Sequence, residues 1–246
     1  QGGMEFPGDR IGDPAVAVEV DALPALEELI ARVERARSEE PSQQTAVRLT
    51  GTLSLPASGV EGTFEVLKAS PFRFRMRASF GPFGSNDVVV DEDFGAEQSD
   101  FNTDRVLEGT ELVLAKTTGP GLFANWPSLF EEIKVEEWVE IKGEQTVKLI
   151  ATPPGFDQSF VLYLDPESGL VRMAEGWIFA PNIGPYPMKW AYDAPREING
   201  EQMLEGWRAL STETGDTIFQ VLEQTTVPLT PELFQMSLEP ESVQKR

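Results

Sequence analysis

The side chains in this chain that could do chemistry are carboxylates. There are 41 Asp and Glu, with no His and no Cys. Without His there is no Ser-His-Asp triad and no His-based metal site. Without Cys there is no thiolate zinc site, iron–sulfur cluster, disulfide or thiol nucleophile. What remains is acid–base work by paired carboxylates, or a hard cation held on oxygens. Glu131-Glu132 and Glu136-Glu137 are the pairs a glycosidase-type hydrolase would need. Adjacent acids at the end of a surface element give the same pattern with no chemistry. Asp91-Glu92-Asp93 with Glu97 and Asp100 could gather Ca²⁺, but the spacing and closing Glu of an EF-hand loop are missing, and a solvated acidic loop is the plainer reading. No catalytic residue, metal or cofactor is expected. A carboxylate-based hydrolase is the last of three functional readings.

The apolar candidates are better organised. Phe64, Phe72, Phe74, Phe80, Phe160, Trp190 and Phe219 fall on alternating positions of period-two segments. Such a row lines a cavity for an apolar ligand, or it packs an ordinary core. Leu122, Phe123, Trp126 and Phe130, with Leu129 and Ile133, form a second group. They suit a lid over that cavity, a protein-docking surface, or packing into the sheet. Arg73, Arg75 and Arg77 make a cationic stripe opposite Phe72 and Phe74. It suits an acidic partner, or a solvated face paired to acids such as Glu61 and Glu65.

Charge narrows the partners. Lys and Arg number 20 against 41 acids, a formal charge of −21 with a pI near 4.3. Nucleic acid is excluded as a partner, since phosphate binding needs clustered Lys and Arg. The same field repels anionic headgroups. No run of about 18 apolar residues predicts a transmembrane helix, and no basic-then-apolar leader is visible. The start Gln1-Gly2-Gly3 suits a mature N-terminus after signal cleavage, and equally a trimmed chain. It lacks the Cys of a lipoprotein anchor.

The elements that position these groups follow from periodicity. Residues 1–21 read as an extended lead-in, 22–238 as one domain and 239–246 as a polar tail. A helix is predicted over Ala22–Ser38, capped by Asp21, with Pro24 in its first turn and Leu26, Leu29, Ile30 and Val33 on one face. Three alternating strands follow over Thr45–Leu55, Val60–Ala69 and Phe72–Phe80, joined by short turns and therefore antiparallel. Val88–Val90 is a short strand, Asp91–Asp104 an irregular acidic stretch, Glu108–Lys116 a short helix, and Gly121–Ile133 an amphipathic helix interrupted by Pro127. Strands resume at Val135–Ile141, Gln145–Thr152, Ser159–Leu164, Leu170–Ala180, Pro185–Tyr192, Met203–Thr212 and Thr217–Val227. Ile198-Asn199-Gly200 marks a hairpin turn, and Pro228–Phe234 a turn of helix. Ten or eleven strands without helix–strand alternation give a mainly β fold: a curved antiparallel sheet forming an unclosed (half) β-barrel, covered by the N-terminal helix and short central helices.

Four segments then carry a family resemblance. The first is Gly51-Thr52-Leu53-Ser54-Leu55-Pro56 with Val60-Glu61-Gly62-Thr63-Phe64 and Ser70-Pro71-Phe72-Arg73-Phe74. The second is Leu107-Glu108-Gly109-Thr110-Glu111-Leu112. The third is Tyr163-Leu164-Asp165-Pro166-Glu167-Ser168-Gly169-Leu170-Val171. The fourth is Tyr192-Asp193-Ala194-Pro195-Arg196-Glu197-Ile198-Asn199-Gly200, with Val227–Phe234 closing the set. In this order the segments resemble the bacterial LolA/LolB-like superfamily, the periplasmic lipoprotein carriers and their outer-membrane receptor. They are most similar to the outer-membrane lipoprotein-sorting proteins, over roughly Leu23–Leu238. The resemblance implies a helix-plugged half-barrel with a cavity for acyl chains. The first expectation is therefore a non-enzymatic binding protein, periplasmic or otherwise exported, with a lipid or acylated protein as partner. The second is an interaction subunit of a periplasmic or membrane-associated assembly that holds no ligand.

Overall fold

The computed structural model describes residues 16–17, 22–36, 44–70, 72–118, 121–181, 183–198, 201–211, 215–236 and 238. A short strand β1 (Val16–Ala17) precedes helix α1 (Leu26–Ala36). A meander follows: β2 (Thr45–Leu55), β3 (Val60–Ser70), β4 (Arg73–Ser79), β5 (Ser85–Asp91), β6 (Phe94–Ser99) and β7 (Arg105–Val106). Helices α2 (Thr110–Lys116) and α3 (Leu122–Leu129) then lead to a second meander. It contains β8 (Glu132–Ile141), β9 (Glu144–Thr152), β10 (Phe160–Leu164), β11 (Val171–Ala180) and β12 (Gly184–Tyr192). A separate hairpin, β13 (Arg196–Ile198) with β14 (Glu201–Met203), interrupts it before β15 (Gly206–Leu210) and β16 (Thr217–Pro228).

All strands but the β13–β14 pair belong to one fourteen-stranded antiparallel sheet. Strands β16 and β2 pair and join the two meanders. The sheet ends at β1, which pairs with β8, and at β7. It is not closed. A twisted sheet of this many strands has to coil, and the chain must then cover the inside of the coil. The link from β7 to β8 joins the two halves of the sheet and does this: α2 packs against β5, β6 and β11, and α3 against β11. The amphipathic α1 buries Leu29 and Val33 in the same core.

The outer face is also partly covered. After β16 the chain forms a 3₁₀ turn, Pro231–Phe234, against β4 and β5. Phe234 is buried there on Ala46, Leu67, Val89 and Ala96, a second small core on the side of the sheet away from the helices.

Four boundaries differ from the sequence expectations. Helix α1 starts at Leu26 because its first α-type bond is Leu29 N–H to the Ala25 carbonyl, which leaves Pro24 ahead of the helix. Residues 91–104 contain β6: its inward face carries Gly95 and a paired Glu97, so no apolar alternation marks it. Helix α3 stops at Leu129, Phe130 is extended, and Ile133 lies in β8. The stretch 203–212 divides into β14 and β15 at Gly206, where a side chain would collide with the Phe219 carbonyl at 2.5 Å. Most of the lead-in, the 199–200 turn and the 239–246 tail lie outside the described residues.

Candidate functional site: the covered inner face

The inner face is built from alternate strand positions. Phe64 on β3, Trp207 on β15 and Phe219 on β16 meet as a trio. Trp207 stacks on Phe219 at 4.5 Å, and Phe64 meets both edge-on at 5.1 and 5.5 Å. Along the sheet, Phe160 stacks on Trp190 at 6.4 Å and meets Phe130 at 5.4 Å. Offset and edge-on pairs of this kind add about 0.5–1.5 kcal/mol each beyond area burial. Gly176 makes room for Phe160: a Cβ there would sit 2.0 Å from its ring.

Of the seven aromatic residues expected in a row, Phe64, Phe160, Trp190 and Phe219 are brought into one buried cluster. Phe80 packs on the cluster's margin and against Phe101 at 5.4 Å. Phe74 is half-buried outside it. Phe72 is 37% exposed, with Lys116 over its ring at 5.9 Å. Trp207 completes the trio, although its run 203–212 has little apolar alternation to mark it. The second group, Leu122, Phe123, Trp126 and Phe130, is wholly buried on the same face. These side chains fill the inside of the coil, and Phe123 lies 5.6 Å from Tyr192.

Polar contacts pin the cover at two places. The turn Asp165–Gly169 is folded by the Asp165 carboxylate, which accepts from the Glu167 and Ser168 amides at 3.1 and 2.8 Å. Its last carbonyl, on Gly169, accepts the buried Trp126 indole N–H at 2.9 Å. Arg32 of α1 donates to the Pro166 carbonyl of the same turn. Gly169 itself has φ +71°, and a Cβ there would lie 2.7 Å from the Leu29 carbonyl of α1. The turn therefore clasps both α1 and α3. Helix α2 is held by charge instead. Arg105 donates to the buried Glu97 at 2.7 Å and to Glu111 of α2 at 3.2 Å.

The carboxylates are spread out. Asp91 pairs with Arg73 at 3.0 Å, Glu97 faces Arg105, and Asp100 caps the Ser85 amide at 2.7 Å. Among the described residues, no three Asp or Glu are gathered to hold a metal ion. Glu136 and Glu137 flank Lys148 at 3.4 and 2.8 Å. Hydrogen bonds from Lys134 and Lys148 hold the Glu136 carboxyl below its ordinary range, whereas a general acid needs the opposite shift. Burial pushes the Tyr192 and Tyr163 hydroxyls well up.

The arginine stripe lies on the outer face and is graded. Arg75 is 8% exposed, forks onto Asp87 at 2.8 and 2.6 Å, and donates to the Leu233 and Gln235 carbonyls at 3.3 and 3.0 Å. Arg73 sits 4.9 Å over the Phe234 ring. Arg77 is half exposed between Glu65 and Asp87. Beside it, still on the outer face, is a shallow groove of about 560 Å³ that reaches Leu222.

No family model and no curated protein matches the chain. Solved structures do. A LolA superfamily protein from Nitrosomonas europaea is 12% identical and aligns over 87% of this chain and 99% of its own, with a TM-score of 0.58. A DUF1329 family protein from Desulfovibrio piger, 13% identical, aligns over 88% and 97% with a TM-score of 0.53. An outer membrane lipoprotein-sorting protein domain from Vibrio parahaemolyticus, 10% identical, aligns over 87% and 94% with a TM-score of 0.50. The likeness is one of fold, and it agrees with the resemblance carried by the four sequence segments. Among the described residues no helix is long and apolar enough to cross a membrane.

Proposed function

We propose that this LolA-like chain is a non-enzymatic binding protein of the cell envelope that takes an acyl chain, of a lipid or of an acylated protein, on the inner face of its half-barrel. One observation carries the reading: the inner face is apolar across both meanders, and what fills it is the side chains of two short helices and not a second sheet. In the closed form Trp126, Leu122 and Phe123 of α3 occupy the space an acyl chain would take. Binding then means exchanging α3 side chains for ligand methylenes. Each buried CH₂ contributes about 0.8 kcal/mol, so a chain of about twelve carbons can balance the loss of several core side chains. The lipoprotein sorting for which the Vibrio parahaemolyticus domain is named supports this class of ligand and an exported location.

Native mass spectrometry with palmitate tests it. A 1:1 adduct, with faster amide exchange across α2 and α3 than in the free protein, is expected. Trp126→Ala, which vacates space under the cover, should raise the adduct fraction. No adduct with either protein rejects an acyl ligand.

The filled inner face also favours a second reading, an interaction subunit of a periplasmic or membrane-associated assembly that holds no ligand. A ligand-free protein that is retained by native membranes at low salt and released at high salt would select it.

A further inference from the structure

The outer groove lies opposite the inner face, and its residues follow the register of the sheet. Thr52, Thr63, Ser79 and Ser85 stand directly across from one another on β2, β3, β4 and β5. Strand spacing sets their Cα atoms at roughly 4.8 Å intervals. The hydroxyls of Thr52, Thr63 and Ser79 have no hydrogen-bond partner among the described residues. The neighbouring row is charged: Glu65, Arg77 and Asp87 face one another on β3, β4 and β5. Arg77 donates to Glu65 and to Asp87, both at 3.2 Å. Arg48 and Arg75 complete the neutralisation of these two acids at 3.1 and 2.6 Å. One end of the groove is Leu222, 67% exposed at a β-bulge where β16 slips register against β2. Bulges re-aim side chains and recur beside binding sites.

These features select a ligand chemistry. The floor alternates methyl groups with unpartnered hydroxyls, the wall offers fixed acceptors and one guanidinium, and a bare leucine closes the end. A pyranose ring presents the matching mixture, apolar C–H faces with hydroxyl edges. The volume lies within the about 300–1,000 Å³ range of ligand sites. With Asp100 on Ser85 the local charge balances, three arginines against three acids, while the whole chain is strongly acidic, which disfavours an anionic ligand. We infer that the outer face of β2–β5 is a binding groove for a neutral oligosaccharide. This site does not rest on the acyl-chain reading; it shares strands β2–β5 with the inner face, and Phe64 borders both.

The test is amide chemical-shift mapping of the isotope-labelled chain with cellotetraose, chitotetraose and maltotetraose, each at 10 mM. At least one should shift the amides of residues 50–52, 63–65, 77–79 and 85–87, with salt between 20 and 300 mM changing the fitted Kd less than twofold. Thr63→Val with Ser79→Ala keeps strand-compatible side chains and should weaken binding at least fivefold. Leu222→Ser should weaken it by a smaller factor. Absence of shifts with all three sugars, or shifts outside these residues that the variants do not alter, overturns the inference.

Discussion

Gly169 does two things that no other residue type could do at once. Its positive φ closes the Asp165–Gly169 turn, and its bare Cα lets the backbone of α1 lie against it while its carbonyl holds Trp126. The two roles can be separated by comparison with Gly155, which has a similar φ of +70° and open space, with nothing within 4 Å, where a Cβ would stand. Gly155→Ala should cost about 1 kcal/mol of backbone strain. Gly169→Ala should cost about 3 kcal/mol, because overpacking against α1 adds to that strain. Urea unfolding of both variants checks the difference, and equal costs would show that α1 is not clasped by the turn. A sequence reader sees the turn itself, since Asp-Pro-Glu-Ser-Gly is turn chemistry. What its free carbonyl bonds is invisible there, because Trp126 is 43 residues away in the chain. The aromatic row has a related limit. Alternation marks Phe64, Phe160 and Phe219 as inward, yet a lined cavity and a packed core require the same pattern.

The arginine stripe on β4 makes the corresponding point for elements. Three arginines at alternate positions look equivalent in sequence, and a crossing segment from the far end of the chain makes them unequal. Pro231–Phe234 lies over Arg75, so its guanidinium serves as a buried hydrogen-bond hub for the Leu233 carbonyl of that turn and the Gln235 carbonyl just after it, with Asp87 as counter-ion. Removing it leaves the two carbonyls without donors and the carboxylate with Arg77 alone. Arg75→Met is therefore expected to destabilise by about 2–4 kcal/mol and to speed amide exchange in residues 229–236 before any other region. Arg77→Met, at a half-exposed site, should change stability by less than about 1 kcal/mol. Phe234→Ala removes the apolar half of the same attachment and should cost about 3 kcal/mol. If Arg75→Met leaves exchange of that segment unchanged, the segment is held by its apolar contacts alone. Strand β6 escapes a sequence reading for the same kind of reason: Glu97 is buried only because Arg105, on a neighbouring strand, neutralises it, and polarity alone then suggests a loop.

At the scale of the whole molecule the dominating quantity is the excess of acids. Even if all 20 Lys and Arg were paired one to one, 21 carboxylates would lack a cation, so self-repulsion should outweigh the surface pairs. Screening is then stabilising. Raising ionic strength from about 10 to 150 mM shortens the Debye length from about 30 to 8 Å and is expected to raise Tm, by about 2–4 °C for each kcal/mol of repulsion relieved. A fall in Tm with salt would mean that the ion pairs dominate instead. The pH profile follows from which groups are absent. With no His and no Cys, no side chain has an ordinary pKa between about 5 and 8, and burial moves Tyr163 and Tyr192 further up. Tm should be level from pH 6 to 8. On the acid side Glu136 and Glu232 are held low, by Lys134 and Lys148 and by hydrogen bonds within the Thr230–Glu232 turn respectively. A depressed carboxyl stabilises the fold above its unfolded pKa and loses that contribution as pH falls through the folded value, while protonation of the excess acids relieves their repulsion down to the pI near 4.3, so the decline should begin only below about pH 4. On the basic side Lys148 is raised by Glu137. Its contribution is complete below the unfolded value of 10.5 and is lost only as pH rises through the higher folded one. A calorimetric series at constant ionic strength reads all three regimes, and a step in Tm between pH 6 and 8 would contradict the assignment.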